Sequence, residues 1–309
     1  MTVAVTCAAL TVVAGCSPGG AAARPAVRRV LPADAASALG SGTLYLLLGD
    51  VAISANVWRV DLGTGRVRQL TFNPPQYGVS NFDAFTAGLV LGDARSGLDE
   101  SEIMVAGRPQ LLSGGVGESP QINAAGQIVV VASAEQGVRH GPWSYDRLLY
   151  WASPSSGYRT MYQVPPQNLA SIAWNPAGTL ILAINGPDDE AYTRLFAVNT
   201  RGQVVRHFLT VPGFPDGSAW GKYGLAVGYV TARPSVVIGM SGRVLATLPA
   251  DWIPGCWNPA GIRLLVVSRD RQHIGIWDPA SPGQVRKLGQ LPGGALQGCS
   301  WTARPAPGT

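Results

Sequence analysis

Three histidines, His140, His207 and His273, are the side chains best suited to proton transfer near neutral pH. They lie far apart in the chain. His207 sits in the strand-like "VVRHFL" and His273 in the turn-like "RDRQHIGIWD". Both read as structural. The acidic run "GPDDEAY" at Gly186–Tyr192 offers the oxygen-rich chemistry that calcium favours. Consecutive acids diverge, however, and the alternating spacing of a calcium loop is missing, so the run reads as a solvated loop. H-E-x-x-H, G-x-S-x-G and phosphate-cradling glycine motifs are all absent. The sequence therefore assigns no catalytic residue, no metal site and no cofactor.

The four cysteines carry more information. Val3–Gly15 is a mostly apolar run without a charge, shorter than the roughly 20 residues that span a bilayer. Its length suits the core of an export signal. It ends in Val13-Ala14-Gly15-Cys16, which resembles the bacterial lipobox. The resemblance implies that residues 1–15 are a lipoprotein signal peptide and that the Cys16 thiol accepts a diacylglycerol. Residues 16–41 comprise this cysteine and an Ala/Pro/Gly-rich stretch that reads as a flexible tether. Cys7 would leave with the signal. Cys256 and Cys299 remain, and outside the cytosol an even pair invites a disulfide, with two unlinked buried thiols as the alternative.

These residues must be positioned by a repeat. "AWNPAGTLILAI" at Ala173–Ile184 returns as "CWNPAGIRLLVV" at Cys256–Val267. With Trp174, Trp220, Trp257 and Trp301 as landmarks, the steps are 46, 37 and 44 residues. Fainter copies run over Ser119–Ser133 and Ser80–Asp93. Each copy reads as a short strand, a Pro/Ala/Gly turn, an apolar strand, a loop, and two further strands joined at a glycine. One such meander cannot bury both its faces, and several stacked radially can, which predicts a β-propeller. Gly42–Thr302 holds 261 residues, or about 43 for each of six blades. The C-terminal "GCSWTA" is a first strand without a successor, and "GTLYLLLGD" near the start is a second strand without a predecessor. The expectation is an all-β, six-bladed propeller over residues 42–303, closed by pairing these two, with a disordered tail at 304–309. The repeated tryptophans should wedge between blades.

"NVWRVDLGTGRVRQLT" at Asn56–Thr71 and "LDESEIMVAG" at Leu98–Gly107 resemble the TolB-like propeller repeat, and the "WNPAG" turns are similar to its Trp-Ser-Pro-Asp-Gly turn. The turn aspartate is replaced here by Ala177 and Ala260, and TolB's separate N-terminal domain has no counterpart. The resemblance implies the propeller class and assigns no function. A lipid anchor on a GC-rich composition looks more like actinobacterial lipoproteins that carry such a propeller.

The formal charge is +5, yet the cations are mostly scattered arginines, with only Lys222 and Lys287 as lysines and no basic run longer than the pairs Arg28–Arg29 and Arg286–Lys287. That pattern argues against a nucleic-acid face. Function on a rigid scaffold tends to sit on variable loops. Connections after second and fourth strands share one end of a blade. Those at Pro74–Gly78, His140–Tyr145, Gly186–Tyr192 and Val211–Gly217 are rich in aromatics, Pro and acids. The insert carrying His140, Trp143 and Tyr145 could equally pack over its blade or touch a partner. The candidate partner-binding face is Tyr77, His140, Trp143, Tyr145, Asp188, Asp189, Phe214 and Asp216. The expected function is that of a non-enzymatic, monomeric cell-envelope lipoprotein on the outer face of the cytoplasmic membrane. It would bind a protein or envelope component and touch the membrane through its lipid alone. The alternatives are an extracytoplasmic hydrolase or lyase working at the central channel, or a small-ligand sensor.

Overall fold

Short apolar runs punctuated by glycine turns fold as antiparallel strands. The computed structural model describes residues 28–29, 39–49, 55–72, 79–85, 88–93, 100–105, 108–116, 118–133, 146–163, 168–186, 192–212, 215–229, 233–291 and 294–303. The chain opens with β1 (Arg28–Arg29), β2 (Thr43–Gly49), β3 (Asn56–Asp61) and β4 (Arg66–Gln69). Next come β5 (Val79–Phe85), β6 (Gly88–Asp93), β7 (Glu100–Val105) and β8 (Arg108–Val116), then β9 (Glu118–Ile122), β10 (Ile128–Ser133), β11 (Asp146–Trp151) and β12 (Tyr158–Gln163). β13 (Asn168–Trp174), β14 (Leu180–Gly186), β15 (Tyr192–Asn199) and β16 (Val204–Pro212) precede β17 (Pro215–Trp220), β18 (Leu225–Tyr229), β19 (Val236–Ile238) and β20 (Val244–Thr247). The last strands are β21 (Trp252–Trp257), β22 (Leu264–Ser268), β23 (His273–Trp277), β24 (Val285–Gln290) and β25 (Ala295–Thr302).

Five runs of four consecutive strands, from β5 to β24, each form a four-stranded antiparallel sheet. The remaining sheet is composite and five-stranded, in the order β1-β4-β3-β2-β25. There Leu44 stands opposite Trp301 and Tyr45 opposite Ser300. The architecture is a β-propeller of four-stranded antiparallel blades. Within the segment expected as a tether, Arg28 and Arg29 pair with Val67 and Arg66, and Leu39, 2% exposed, packs in a cluster with Leu62, Val67 and Leu288.

The repeated turn has a local cause. Asn175 Oδ1 accepts from the N–H groups of Thr179 (2.8 Å) and Leu180 (3.0 Å), and Asn258 Oδ1 does the same for Ile262 (2.9 Å) and Arg263 (3.0 Å). Gly178 and Gly261 take φ of 66° and 68°, the left-handed region where a side chain is costly. The asparagine and glycine hold the turn, which is why Ala177 and Ala260 suffice between them.

An apolar cluster fills each junction between neighbouring sheets, and the tryptophans form part of these clusters. Trp174 packs with Val129 and Leu148 of the preceding sheet, Trp220 with Leu182 and Ile184, Trp257 with Ala226 and Val237, and Trp301 with Ile253 and Leu265. Two indoles also donate backwards across the junction, Trp174 Nε1 to the Gln121 carbonyl (3.3 Å) and Trp257 Nε1 to that of Ala219 (3.1 Å). Among the described residues no helix is long and apolar enough to cross a membrane.

Candidate functional site

The first strand of each sheet faces a common axis. β5, β9, β13, β17, β21 and β25 together line a cavity of about 410 Å³. One mouth is framed by the turns at Asn123, Asn175, Gly221 and Asn258, and Arg271 and Gln297 also line the cavity. Arg271 donates to Gln297 Oε1 at 3.0 Å. Small residues widen the wall at Ser218, Gly255 and Gly298.

Asp83 is the carboxylate of this lining, and its oxygens bind three strands. Oδ1 accepts from Ser300 Oγ of β25 (2.8 Å) and from the Ala84 N–H of its own strand (2.8 Å). Oδ2 accepts from the Ile122 N–H of β9 (3.0 Å). Burial pushes its pKa up from the ordinary 3.8 to about 6, against the pull of these hydrogen bonds. The sequence reading missed Asp83 and Ser300. The available signal was a lone acid inside the apolar first strand "NFDAF".

On the same wall, Cys256 of β21 and Cys299 of β25 form a disulfide with Cα atoms 5.7 Å apart. Gly255 makes room for it, since a Cβ there would stand 2.9 Å from Cys299 Sγ. The bridge ties one four-stranded sheet to the composite sheet along the axis.

His207 and His273 are exposed and neither lines the channel. His207 lies on β16 with its ring 6.3 Å from Phe196, and His273 Nδ1 is 3.7 Å from Asp270 Oδ2. Among the described residues no cluster of His, Cys, Asp or Glu could hold a metal. Of the sequence-derived candidates, Cys16, Tyr77, His140, Trp143, Tyr145, Asp188, Asp189 and Phe214 lie outside the described residues. Asp216 falls within β17, because β16 runs to Pro212 and β17 starts at Pro215, leaving less loop than the "VPGFPDG" reading expected.

An axial channel lined by first strands defines the chain as a β-propeller, and its fold is TolB-like. TolB from Acinetobacter baumannii superposes with a TM-score of 0.64 at 11% identity, covering 85% of this chain and 67% of that one. A chain of a nidogen/laminin complex gives 0.65 at 13% identity over 85% and 98% of the two chains. An oligogalacturonate lyase in complex with manganese gives 0.52 at 13% identity over 86% and 83%. No protein-family model and no curated protein matches the sequence. At these identities the likeness concerns the fold alone.

Proposed function

We propose that this chain is a non-enzymatic, lipid-anchored cell-envelope protein whose propeller binds a protein or envelope component. In this reading the ring has six blades and closes where β25 joins β2, so that the first and last parts of the chain share one sheet. The seven paired positions between those strands and the apolar cluster joining Leu46 and Trp301 to Ile253 and Leu265 support the closure. The observation that carries the binding reading is the chemistry of the channel wall. Its carboxylate already accepts hydrogen bonds from β5, β9 and β25, which suits a brace between sheets rather than a group free to exchange protons with substrate. Amides, hydroxyls and backbone groups make up most of the polar remainder.

A rigid hub of this kind presents the connections after second and fourth strands at the end opposite the Asn turns. In this reading Tyr77, Trp143 and Phe214, which fall outside the described residues between β4 and β5, β10 and β11, and β16 and β17, are the anchors of the proposed contact surface. The test is affinity capture from detergent-solubilised membranes, comparing wild type with a Tyr77→Ala/Trp143→Ala/Phe214→Ala variant. Loss of the captured component with an unchanged melting temperature is the expected result. Undiminished capture overturns the reading. Cys16→Ala, followed by fatty-acid labelling, tests the anchor separately.

A further inference from the structure

Some of the cations that look scattered in sequence gather on two neighbouring sheets. β4 ("RVRQ") and β24 ("VRKLGQ") are the fourth strands of two sheets that meet across one apolar junction, where Val67 and Leu288 share a cluster. Arg66, Arg68, Arg286 and Lys287 are all exposed, and neither strand contains an acid. The strand that pairs with β4 is itself a pair of arginines, with Arg29 opposite Arg66 in register. Three of the other fourth strands differ. Arg159 of β12 donates to the Thr200 carbonyl of the next sheet, Arg206 of β16 donates to the Met240 carbonyl, and β20 has no cation at all. Those two arginines clasp neighbouring turns, whereas the four on β4 and β24 present their charge outward. Two carboxylates stand beside these four cations, Asp61 opposite Arg66 in register and Asp278 just after β23. Asp61 accepts from the Thr64 N–H at 2.9 Å, and Asp278 pairs with Arg263 at 3.5 Å.

We propose that this cationic rim, carried by β4 and β24, docks edge-on against an anionic phospholipid surface. Charge complementarity selects the occupant, because each guanidinium or ammonium group beside a negatively charged bilayer strengthens binding roughly fivefold. Covalent reach selects the same edge. Twelve residues separate Cys16 from Arg28, so a lipid on Cys16 lies within about 40 Å of β1, whatever path the chain takes. The reach argument rests on the lipid-anchor reading, and the charge argument does not. Docked this way, the propeller stands on its rim with both channel mouths open to the side.

The probe is a sedimentation assay with the full chain carrying Cys16→Ala, on vesicles of phosphatidylcholine with and without phosphatidylglycerol. The readout is the ratio of the two affinities, in which any apolar contribution of the N-terminus cancels. Arg66→Gln/Arg68→Gln/Arg286→Gln/Lys287→Gln should cut the preference for anionic vesicles by on the order of a hundredfold or more. Roughly 1 M salt, where the screening length is about 3 Å, should do the same to the parent. A control that removes four exposed cations elsewhere, Arg194, Arg201, Lys222 and Arg243, each to Gln, should retain most of the preference. Equal loss in the control, no loss in the rim variant, or a parent that binds polyphosphate and ignores anionic vesicles overturns the proposal. Fatty-acid labelling of the wild type separates the two readings. An unlabelled Cys16 with rim-dependent vesicle binding removes the anchor and leaves the rim standing. A labelled Cys16 with rim-independent binding does the reverse.

Discussion

At the inner wall, Asp83 is bound by groups of three strands, Trp174 and Trp257 donate to carbonyls of the sheet before their own, and Cys256 is bonded to Cys299. At the outer rim, Arg66, Arg68, Arg286 and Lys287 are exposed, and so are Val244 and Leu245 of β20. First strands converge, so their polar groups lie within hydrogen-bonding distance of the neighbouring sheet. Fourth strands diverge, and most of their side chains meet water. The hub therefore carries most of the bonding between sheets, and the rim adds to it the clasps of Arg159 and Arg206.

Three changes at the hub test this contrast. The largest effect should come from Trp257→Ala. Trp257 is 7% exposed, packs edge-on against Trp277 at 6.3 Å and holds the Ala219 carbonyl. Its removal should cost about 3–5 kcal/mol in chemical unfolding, from lost burial and the cavity left behind. A cost below about 1 kcal/mol would contradict a hub-centred fold. Next is the Cys256→Ser/Cys299→Ser pair. The bridge spans 43 residues of sequence, and its loss should lower stability by about 2–4 kcal/mol. Two free thiols in the exported protein, or unfolding that ignores reductant, would remove the staple from the account.

The smallest effect is one of pH. Folding raises the pKa of Asp83 from 3.8 to about 6, so between those values the folded chain holds a proton that the unfolded chain releases. The stability from this group is fully present below about pH 4 and is lost as pH rises through about 6. Wild type should therefore gain melting temperature, relative to Asp83→Asn, as pH falls from 7 to 4. Parallel profiles for the two proteins would show that Asp83 is solvated rather than enclosed by β9 and β25.

The sequence made the repeat legible because its marks are local. Asn175 and Gly178 shape a turn five residues long, and the same demand recurs at Asn258 and Gly261, so the same residues recur. The tryptophans recur because every junction between sheets needs a wedge. What stayed hidden depends on distance in sequence. Asp83 meets Ile122 and Ser300, 39 and 217 positions away, and neither partner carries a mark of its own. The cationic rim joins β4 to β24 across more than two hundred residues, so a search for basic runs finds only the pairs Arg28–Arg29 and Arg286–Lys287, far apart. The aromatic loop residues fall outside the described residues, and their arrangement remains a matter for the capture experiment.

The composite sheet also sets a timetable. β2 is buried at every position from Thr43 to Gly49, yet its inner partner, β25, comes after every other described strand. At roughly 5–20 residues per second, synthesis of the intervening chain takes on the order of ten seconds to a minute. During that interval the neighbouring meanders can form one after another from local contacts, while β2 has one edge without its mate. Completion of the composite sheet thus waits for β25, and a chain truncated before Ala295 would keep an open, adhesive edge on β2. The order of strands along the chain makes the composite sheet the last of the described sheets to be completed.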